Sequence, residues 1–279
     1  MVHKEAFAHA FKEVLHACWK FLLSYCQIAG GPRDVYFRFV CFRFAPDRRP
    51  ASPPSPFPAT QCFGLDTSIE CVVHQGGTDQ LIIEAVLRHH GVPEADIAAG
   101  LPRAVESMVA YAGRHAARFS EGLEVLPGVL ALLEALARRG GVAVGLVTGN
   151  LQPIAWAKMR ALGIAHLFTE PRFGGFGSDA KDRGDLVKLA KARALQLGLA
   201  GKAPGAQFAR AVHVGDTPND VKAALAGGVL PLAVCTGVFP DAQLREHCGP
   251  AEQGELGGVV VPDLGDTERI VGIITGRVP

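Results

Sequence analysis

The sequence predicts an α/β protein with a doubly wound parallel sheet, accompanied by a small domain of helices. Two observations carry this prediction. After residue 122, short apolar runs alternate with longer segments of helical period, a pattern typical of parallel strands with helices on both faces. Between residues 65 and 122 the apolar residues have helical spacing, and no strand is evident in the sequence.

The first predicted element is an amphipathic helix over residues 3–16, whose apolar side chains share one face. The composition changes after it. Residues 17–64 contain four of the seven cysteines, seven of the fifteen phenylalanines and seven of the nineteen prolines. This segment has no helical period, and its proline-rich end is incompatible with the interior of a sheet. We therefore predict that residues 17–64 are an irregular insertion, foreign to the fold.

The elements that follow are placed by the period of their apolar residues. The main helices of the helical region are predicted over residues 79–89 and 101–119. In the alternating region, helices are predicted over 127–139, 152–162, 183–197, 241–247 and from Asp266, and strands over 142–147, 166–169, 211–214, 232–235 and 259–261. Asp266 is predicted to cap the last helix.

Two acidic residues stand where a predicted strand meets a predicted helix. The strand at 211–214 leads into Asp216 and, four residues later, Asp220. Open α/β sheets bind ligands at such strand-to-helix turns. Two carboxylates this close repel each other unless a cation is present, and a hard ion such as Mg²⁺ prefers oxygen ligands. The structural alternative is that Asp216 caps the following helix and Asp220 favours the positive end of its dipole.

A second polar group follows another predicted strand. Residues 142–147 lead into Thr148, Gly149 and Asn150. A hydroxyl with open backbone N–H groups suits the oxygens of a phosphate. This pattern alone is a weak signal, because Thr and Asn also cap helices.

Two cations, Lys181 and Arg183, lie further along the chain. Arg183 starts a predicted helix, from which its planar fork can reach back to an anion such as phosphate. A solvated surface charge is the structural alternative for both, and it is the preferred interpretation of Lys181. Asp179 is interpreted as a loop cap.

The composition excludes several classes of partner. Lysine and arginine number 28 against 27 acidic residues, so the chain has no net field that would hold nucleic acid or an anionic membrane. The apolar stretch over residues 18–29 is interrupted by polar side chains and is too short to span a bilayer. Seven cysteines without paired CxxC spacing favour reduced thiols over disulfides or a zinc site. The opening residues lack the layout of a signal peptide, so an intracellular, cytoplasmic protein is the default expectation.

The acidic turn also carries a resemblance. The string Val-Gly-Asp-Thr-Pro-Asn-Asp-Val-Lys-Ala-Ala over residues 214–224 resembles the fourth motif of the haloacid dehalogenase-like (HAD) hydrolase superfamily. Within that superfamily it resembles the phosphoglycolate phosphatase-like branch. The resemblance implies that Asp216 holds Mg²⁺ and that Asp220 supports it. It also implies a Rossmann-like core over residues 123–279.

The other polar groups take their roles from the same resemblance. Thr148 resembles the phosphate ligand of the second motif, with Gly149 and Asn150 lending backbone N–H groups. Arg183 resembles the cation of the third motif, which touches the same phosphate and orders the nucleophile. A small phosphorylated metabolite is the implied ligand, and the sequence identifies no protein partner.

Residues 1–16 and 65–122 resemble the small helical cap domain of the family. The loop at Gly76, Gly77 and Thr78 resembles the cap loop that leans over the substrate. Local chemistry allows a structural alternative, in which the two glycines form a turn and Thr78 or Asp79 caps the next helix.

The first motif of the family is missing from the sequence. Its strand ends in Asp-x-Asp-Gly-Thr, where the first Asp attacks phosphorus and the second handles protons for the leaving group and the water. No Asp-x-Asp occurs in the chain. We expect a start codon placed too far downstream, with residues 17–64 as a translated intron. The alternative is a genuine loss in a pseudoenzyme.

The missing strand would be central, between the predicted strands at 142–147 and 211–214, and its absence would leave two strand edges unpaired. Residues 34–44 have the aromatic and β-branched content of a strand and are a candidate surrogate for that slot. An irregular segment is the main prediction, and the surrogate strand is the alternative.

The predicted function of the complete protein is Mg²⁺-dependent hydrolysis of the phosphate monoester of a small metabolite. This chain is predicted to be inactive, because nothing in it replaces the nucleophile. The alternatives are a non-catalytic pseudoenzyme or binding module, or the product of a truncated gene model, in which case an organellar targeting segment could be missing as well.

Overall fold

The computed structural model of the chain describes residues 62–65, 67, 69–74, 76–116, 119, 123–201, 206–248 and 257–277. It also describes the backbone of residues 23–28, 35–40 and 42–44. The predicted amphipathic helix over residues 3–16 lies outside the described residues. None of the helices in the described ranges is long and apolar enough to cross a membrane.

The first four strands form two antiparallel pairs. Strand β1 (Leu23–Ile28) pairs with β2 (Val35–Val40), and β3 (Phe42–Phe44) pairs with β4 (Leu123–Val125). Three stretches of residues 17–64, a segment predicted to be irregular, therefore have strand backbone. The rest of that segment, apart from residues 62–64, lies outside the described residues.

Two helices form most of the described chain before residue 122. Helix α1 (Asp79–His89) has the bounds predicted from the sequence, and helix α2 (Glu94–Arg114) begins earlier than predicted. The earlier start has a physical reason, because Ile97 and Leu101 are buried on the same apolar stripe as Met108. A 3-10 turn at Ile69–Cys71 precedes both helices.

Two separate sets of parallel strands lie in the part of the chain after residue 122. Strand β5 (Leu146–Thr148) pairs with β6 (Gly174–Phe176). Strand β8 (Leu230–Val234) pairs with β7 (Val212–Gly215) on one side and with β9 (Val259–Val261) on the other. This arrangement confirms the predicted α/β fold with parallel strands.

Helices join the strands of this part and cover the sheet. They are α3 (Val129–Ala137), α4 (Gln152–Ala161), α5 (Arg183–Gln196), α6 (Pro218–Ala226), α7 (Asp241–His247) and α8 (Thr267–Thr275). Their apolar faces and the strands enclose the main core, in which residues such as Leu132, Ile154, Val214, Leu232 and Ile274 are completely or almost completely buried. The sheet thereby fixes the positions of the loops at the carboxyl ends of its strands.

The hairpin of β1 and β2 lies between the two parallel sets. Strand β1 pairs antiparallel with β5, with Leu23 opposite Thr148, and β2 lies beside β7. This is the slot in which the resemblance places a parallel strand. The sequence favours residues 34–44 as the surrogate, whereas the strand paired with β5 is β1, and it runs in the opposite direction. The interpretation of residues 17–64 as an insertion stays a prediction.

Strand β6 was not predicted from the sequence, because two of its three residues are glycines and glycine is uncommon in strands. A Cβ at Gly174 would overlap the carbonyl oxygen of Leu146 in β5, and a Cβ at Gly175 would overlap that of Leu186 in α5. The glycine pair is therefore what lets β6 pack closely between a strand and a helix.

The predicted strand at 166–169 is wrong. Residues Ala165–Leu167 form a 3-10 turn instead. Leu167 and Phe168 are buried, so the apolar character of this run reflects a place in the core. A short apolar run does not by itself distinguish a strand from a buried turn.

Candidate functional site

The carboxyl end of β5 forms one side of the site. Thr148 ends the strand and is completely buried. Its Oγ1 accepts a hydrogen bond from the backbone N–H of Asn150 at 3.1 Å, which leaves the hydroxyl proton for an acceptor elsewhere. Gly149 lies between them, and a Cβ there would overlap the carbonyl oxygen of Gly77. The backbone of the loop before α1 therefore covers the end of β5 at close range.

The start of α1 is bonded to the same strand end. Thr78 is completely buried and caps α1, its side chain accepting a hydrogen bond from the N–H of Leu81 at 3.4 Å. The N–H of Asp79 donates to the carbonyl oxygen of Gly149 at 2.8 Å. The capping role that local chemistry suggested for Thr78 is therefore confirmed.

The loop before α1 also reaches the start of α6. Gly76 has a φ of 75°, in the region that favours glycine. A Cβ on Gly76 would overlap the side chain of Asn219, the second residue of α6. The three loop residues Gly76, Gly77 and Thr78 thus lie between the end of β5 and the start of α6.

Asp220 and Arg183 form a buried ion pair below this loop. Nη1 of Arg183, at the start of α5, contacts Oδ1 of Asp220. The other carboxylate oxygen accepts hydrogen bonds from the backbone N–H and the hydroxyl of Thr217, at 3.0 and 2.7 Å. Burial raises the pKa of the Asp220 carboxyl, and the adjacent guanidinium opposes that shift. Both oxygens of Asp220 therefore serve to hold the turn between β7 and α6.

Asp216 stands at the end of β7 and is nearly buried, at 7% exposure. The N-cap of α6 is Thr217, so the structural alternative that gave this role to Asp216 is wrong. The loop after β8 lies against the acid, because a Cβ at Gly237 would overlap the Asp216 carboxylate. Asp216 is therefore positioned between the ends of β7 and β8.

The fit of a hard cation to this edge is partial. Such an ion takes six or more oxygen ligands. Of the two predicted ligands, Asp220 has both oxygens bonded to protein groups, whereas Asp216 lies at the strand edge. Within the described ranges, no three His, Cys, Asp or Glu side chains are grouped as a metal site requires. Mg²⁺ binding therefore stays a prediction.

Lys181 contacts a carboxylate of the helical unit. Its Nζ pairs with Oε1 of Glu84 in α1, whose side chain is 6% exposed. Lys181 is exposed, as predicted for a solvated surface charge, and it makes this contact in addition. The contact itself was not predictable, because the sequence does not show that α1 lies beside this loop. Gln80 of α1 adds a hydrogen bond to the carbonyl oxygen of Gly177 at 2.5 Å.

The two acidic residues predicted to act as caps do so. Oδ2 of Asp179 accepts a hydrogen bond from the N–H of Phe176 at 2.9 Å, and the carboxylate also binds Arg193 through two hydrogen bonds, at 2.6 and 2.8 Å. Oδ1 of Asp266 accepts a hydrogen bond from the N–H of Arg269 at 3.1 Å and caps α8. Both predictions are confirmed, and neither residue belongs to the site.

His213 is a buried titratable group that the sequence did not single out. It lies on β7 with 2% exposure. Burial, with a smaller contribution from the positive charge of Arg183, holds the pKa of His213 well below its usual value of 6.5. The imidazole is therefore neutral at pH 7. The alternation of side chains along β7 was the available signal for the burial of His213. It does not indicate that the positive charge of Arg183 lies near the imidazole.

A second buried polar group was also missed. Asp79, Asn150 and Lys158 have 1%, 0% and 2% exposure and are linked by hydrogen bonds between their side chains. In the sequence Asp79 resembles a helix cap and Lys158 an ordinary helix lysine. Only the fold brings them together.

The chain is an α/β protein whose parallel strands are joined by helices. Polar side chains lie at the carboxyl ends of these strands, and the loop of the helical unit lies over them, as in proteins with a ligand site at the strand ends. Residues 63–228 match the profile of the haloacid dehalogenase-like hydrolase family. The match spans more than half of the chain, and the chain belongs to this family of hydrolases.

Three solved structures are similar to the chain at low identity. A hydrolase from Pseudomonas syringae has 18% identity and a TM-score of 0.47, over 71% of this chain and 80% of that one. A haloacid dehalogenase-like family protein from Streptococcus pneumoniae has 18% identity and a TM-score of 0.41, over 71% and 93%. A HAD family hydrolase from Deinococcus radiodurans R1, with bound phosphate and sodium, has 19% identity and a TM-score of 0.37, over 70% and 75%. No curated protein matches the chain.

Proposed function

We propose that the chain carries the phosphate-ester site of a Mg²⁺-dependent phosphomonoesterase, of the phosphoglycolate phosphatase-like branch, that acts on a small phosphorylated metabolite. As written, the chain binds such a ligand without hydrolysing it. The observation that supports the proposal is that one loop, residues 76–78, lies against Gly149, the residue after Thr148, and against Asn219, three residues after Asp216. Asp220, the next residue, forms the buried pair with Arg183. Membership in a hydrolase family supports the class of reaction.

Each of these residues has a group suited to a phosphate ester. The Thr148 hydroxyl donates a hydrogen bond to a phosphate oxygen. The guanidinium of Arg183 is a planar group of five N–H donors and adds a positive charge. Asp216 would hold Mg²⁺, which neutralises charge on a phosphoryl group when bound.

The reaction itself lacks its first participant in this chain. No Asp-x-Asp is present to form an aspartyl-phosphate or to handle the protons of the leaving group and the water. Positioning and charge neutralisation assist phosphoryl transfer but do not replace the covalent route. Binding without turnover is the outcome that this residue set supports.

Calorimetric titration with inorganic phosphate in the presence of Mg²⁺, beside a hydrolysis assay on a panel of small phosphate esters, tests the proposal. We expect binding, no hydrolysis above background, and binding weakened by about tenfold or more in Thr148→Val and Asp216→Asn, a cost typical of a lost hydrogen bond to a charged group. Thr275→Val is the matched control, because its hydroxyl donates to the carbonyl oxygen of Val271 in α8.

Two outcomes would contradict the proposal. One is the absence of phosphate binding by the folded chain. The other is robust hydrolysis that disappears in Asp216→Asn, because another residue would then have to serve as the nucleophile.

Restoring the missing motif is the complementary experiment. The repaired protein has His16 joined to Leu65 and a strand ending in Asp-x-Asp-Gly-Thr added before residue 1. We expect it to hydrolyse at least one phosphate ester with Mg²⁺, and to lose that activity in Asp216→Asn. A folded repaired protein with no activity on any ester would contradict the assignment to a phosphatase.

A further inference from the structure

A continuous line of buried hydrogen bonds joins α4 to the start of α1. Nζ of Lys158 donates to Oδ1 of Asn150 at 2.6 Å. Nδ2 of Asn150 donates to Oδ1 of Asp79 at 2.9 Å, and Oδ2 of Asp79 accepts the backbone N–H of Leu151 at 2.8 Å. The line therefore connects a helix of the sheet domain to the loop that covers the strand ends.

The order of groups in this line determines how the central amide is oriented. An ammonium group can only donate hydrogen bonds, and a carboxylate can only accept them. The Asn150 amide has one acceptor and two donors, so Lys158 takes its oxygen and Asp79 takes its nitrogen. The reversed amide would set donor against donor and acceptor against acceptor between buried side chains, which is costly.

The oriented amide has a consequence for the backbone nearby. Asp79 is the first residue of α1, and its own N–H donates to the carbonyl oxygen of Gly149 at 2.8 Å. Whatever holds the Asp79 carboxylate therefore also holds the loop that contains Gly76, Gly77 and Thr78 on the end of β5. The Asn150 amide and the Leu151 N–H each donate a hydrogen bond to the Asp79 carboxylate.

We propose that Lys158 is a positioning residue for this loop. It acts through Asn150, whose amide it orients so that the Asp79 carboxylate, and with it the start of α1, stays docked on the end of β5. Lys158 itself belongs to none of the motif stretches described above, and its role is independent of whether the chain binds phosphate.

Amide hydrogen exchange in the full chain tests the proposal, read at the N–H groups of Asp79 and Leu151. Lys158→Met should accelerate exchange at both by about tenfold or more, the scale of a lost buried hydrogen bond, while Val214 in β7 keeps its rate. Lys188→Met is the matched control, because Lys188 is exposed and pairs with Asp185 on the surface of α5. It should leave all three rates unchanged.

The double variant Asp79→Asn with Lys158→Met distinguishes positioning from a general packing role. Two facing amides can donate to and accept from each other, so residues 79 and 150 would pair without the lysine. We expect the double variant to exchange more slowly at Leu151 than Lys158→Met alone. A packing role would not recover in this way, since the same lysine is missing.

Three results would overturn the proposal. They are unchanged exchange at Asp79 and Leu151 in Lys158→Met, a uniform acceleration that includes Val214, and a double variant no slower than the single one. If Lys158→Met does not fold, thermal unfolding of the double variant decides, because a folded double variant supports the proposal and an unfolded one overturns it.

Discussion

Residues from two elements stabilise the buried negative charge of Asp220. Arg183 contacts one carboxylate oxygen from the start of α5, and Thr217 donates twice to the other. A carboxylate that loses its cation in such a place is costly, because water cannot replace the lost contact. The pair therefore makes the turn between β7 and α6 sensitive to a single substitution.

We expect Arg183→Met to lower the free energy of unfolding by about 3–5 kcal/mol, the usual cost of breaking a buried ion pair. Urea denaturation at pH 7 measures it. Arg245→Met is the control, since Arg245 pairs with Asp241 on an exposed surface and should change little. Equal effects of the two substitutions would contradict the buried pairing.

His213 makes stability depend on pH in a defined window. Its folded-state pKa lies well below 6.5, so the unfolded chain binds a proton that the folded chain does not. His213 therefore does not reduce the free energy of unfolding above about pH 6.5. As the pH falls below 6.5, that free energy decreases by up to about 1.4 kcal/mol per pH unit. We expect His213→Gln to remove this part of the slope between pH 6.5 and 5, measured by denaturation at each pH. A slope equal in both proteins would contradict the burial of a neutral imidazole.

Single residues were predictable from the sequence where the strand period placed them at a strand end. Thr148 and Asp216 became candidates in this way, whereas Arg183 became one because it starts a predicted helix. The contact between Arg183 and Asp220 was not, because it joins residues from two separate strand-to-helix connections. Lys158 was not found either, since a lysine on a helix normally lies in solvent.

At the scale of elements, the loop before α1 and the end of β5 also meet through backbone. The backbones of Gly149 and Gly77 approach so closely that a Cβ at Gly149 would overlap the carbonyl oxygen of Gly77. The contact fixes the height of the helical unit above the sheet edge. It also makes the start of α1 depend on a glycine that lies far from it in the sequence.

We expect Gly149→Ala to displace the loop before α1, because the added Cβ would overlap the Gly77 carbonyl. Limited proteolysis and amide exchange over residues 76–83 should both become faster. Gly113→Ala in α2 is the matched control, because a Cβ there meets nothing and a helical alanine stabilises by roughly 0.5–1 kcal/mol. Unchanged exchange over residues 76–83 in Gly149→Ala would show that the loop tolerates the methyl group.

The elements themselves were predictable where local signals and packing agree. The bounds of α1 follow from the Thr78 cap and the apolar spacing after it. Strand β6 was not predictable, because its glycines are required by a strand and a helix that pack against it rather than by local preference. Local propensity has no access to such close approaches.

At the scale of the whole molecule, the parallel alternation after residue 122 was sufficient to predict the fold class. The place of β1 and β2 was not predictable. Leu23 and Thr148 pair across more than a hundred residues, and antiparallel pairing carries no signal in either strand alone. The helix–strand rhythm describes the sheet but not what stands between β5 and β7.

We expect slow amide exchange across Val35–Val40, because β2 pairs with β1 along its whole length. The measurement is exchange followed by mass spectrometry, with the β7 strand Val212–Gly215 as the protected reference. Rates close to those of an unstructured peptide over residues 35–40 would contradict the placement of the hairpin in the sheet.

The carboxylate of Asp79 also bears on how tightly any anion can bind at this edge. It accepts the N–H of Leu151, the residue that caps α4, so the chain already supplies a negative group to the start of that helix. A free anion that uses the same N–H competes with a tethered one, whose effective concentration is in the millimolar range or higher. Its apparent dissociation constant is therefore the intrinsic one divided by the fraction of time that Asp79 is displaced from this N–H. At anion concentrations well below this apparent dissociation constant, the N–H of Leu151 stays bonded to the Asp79 carboxylate.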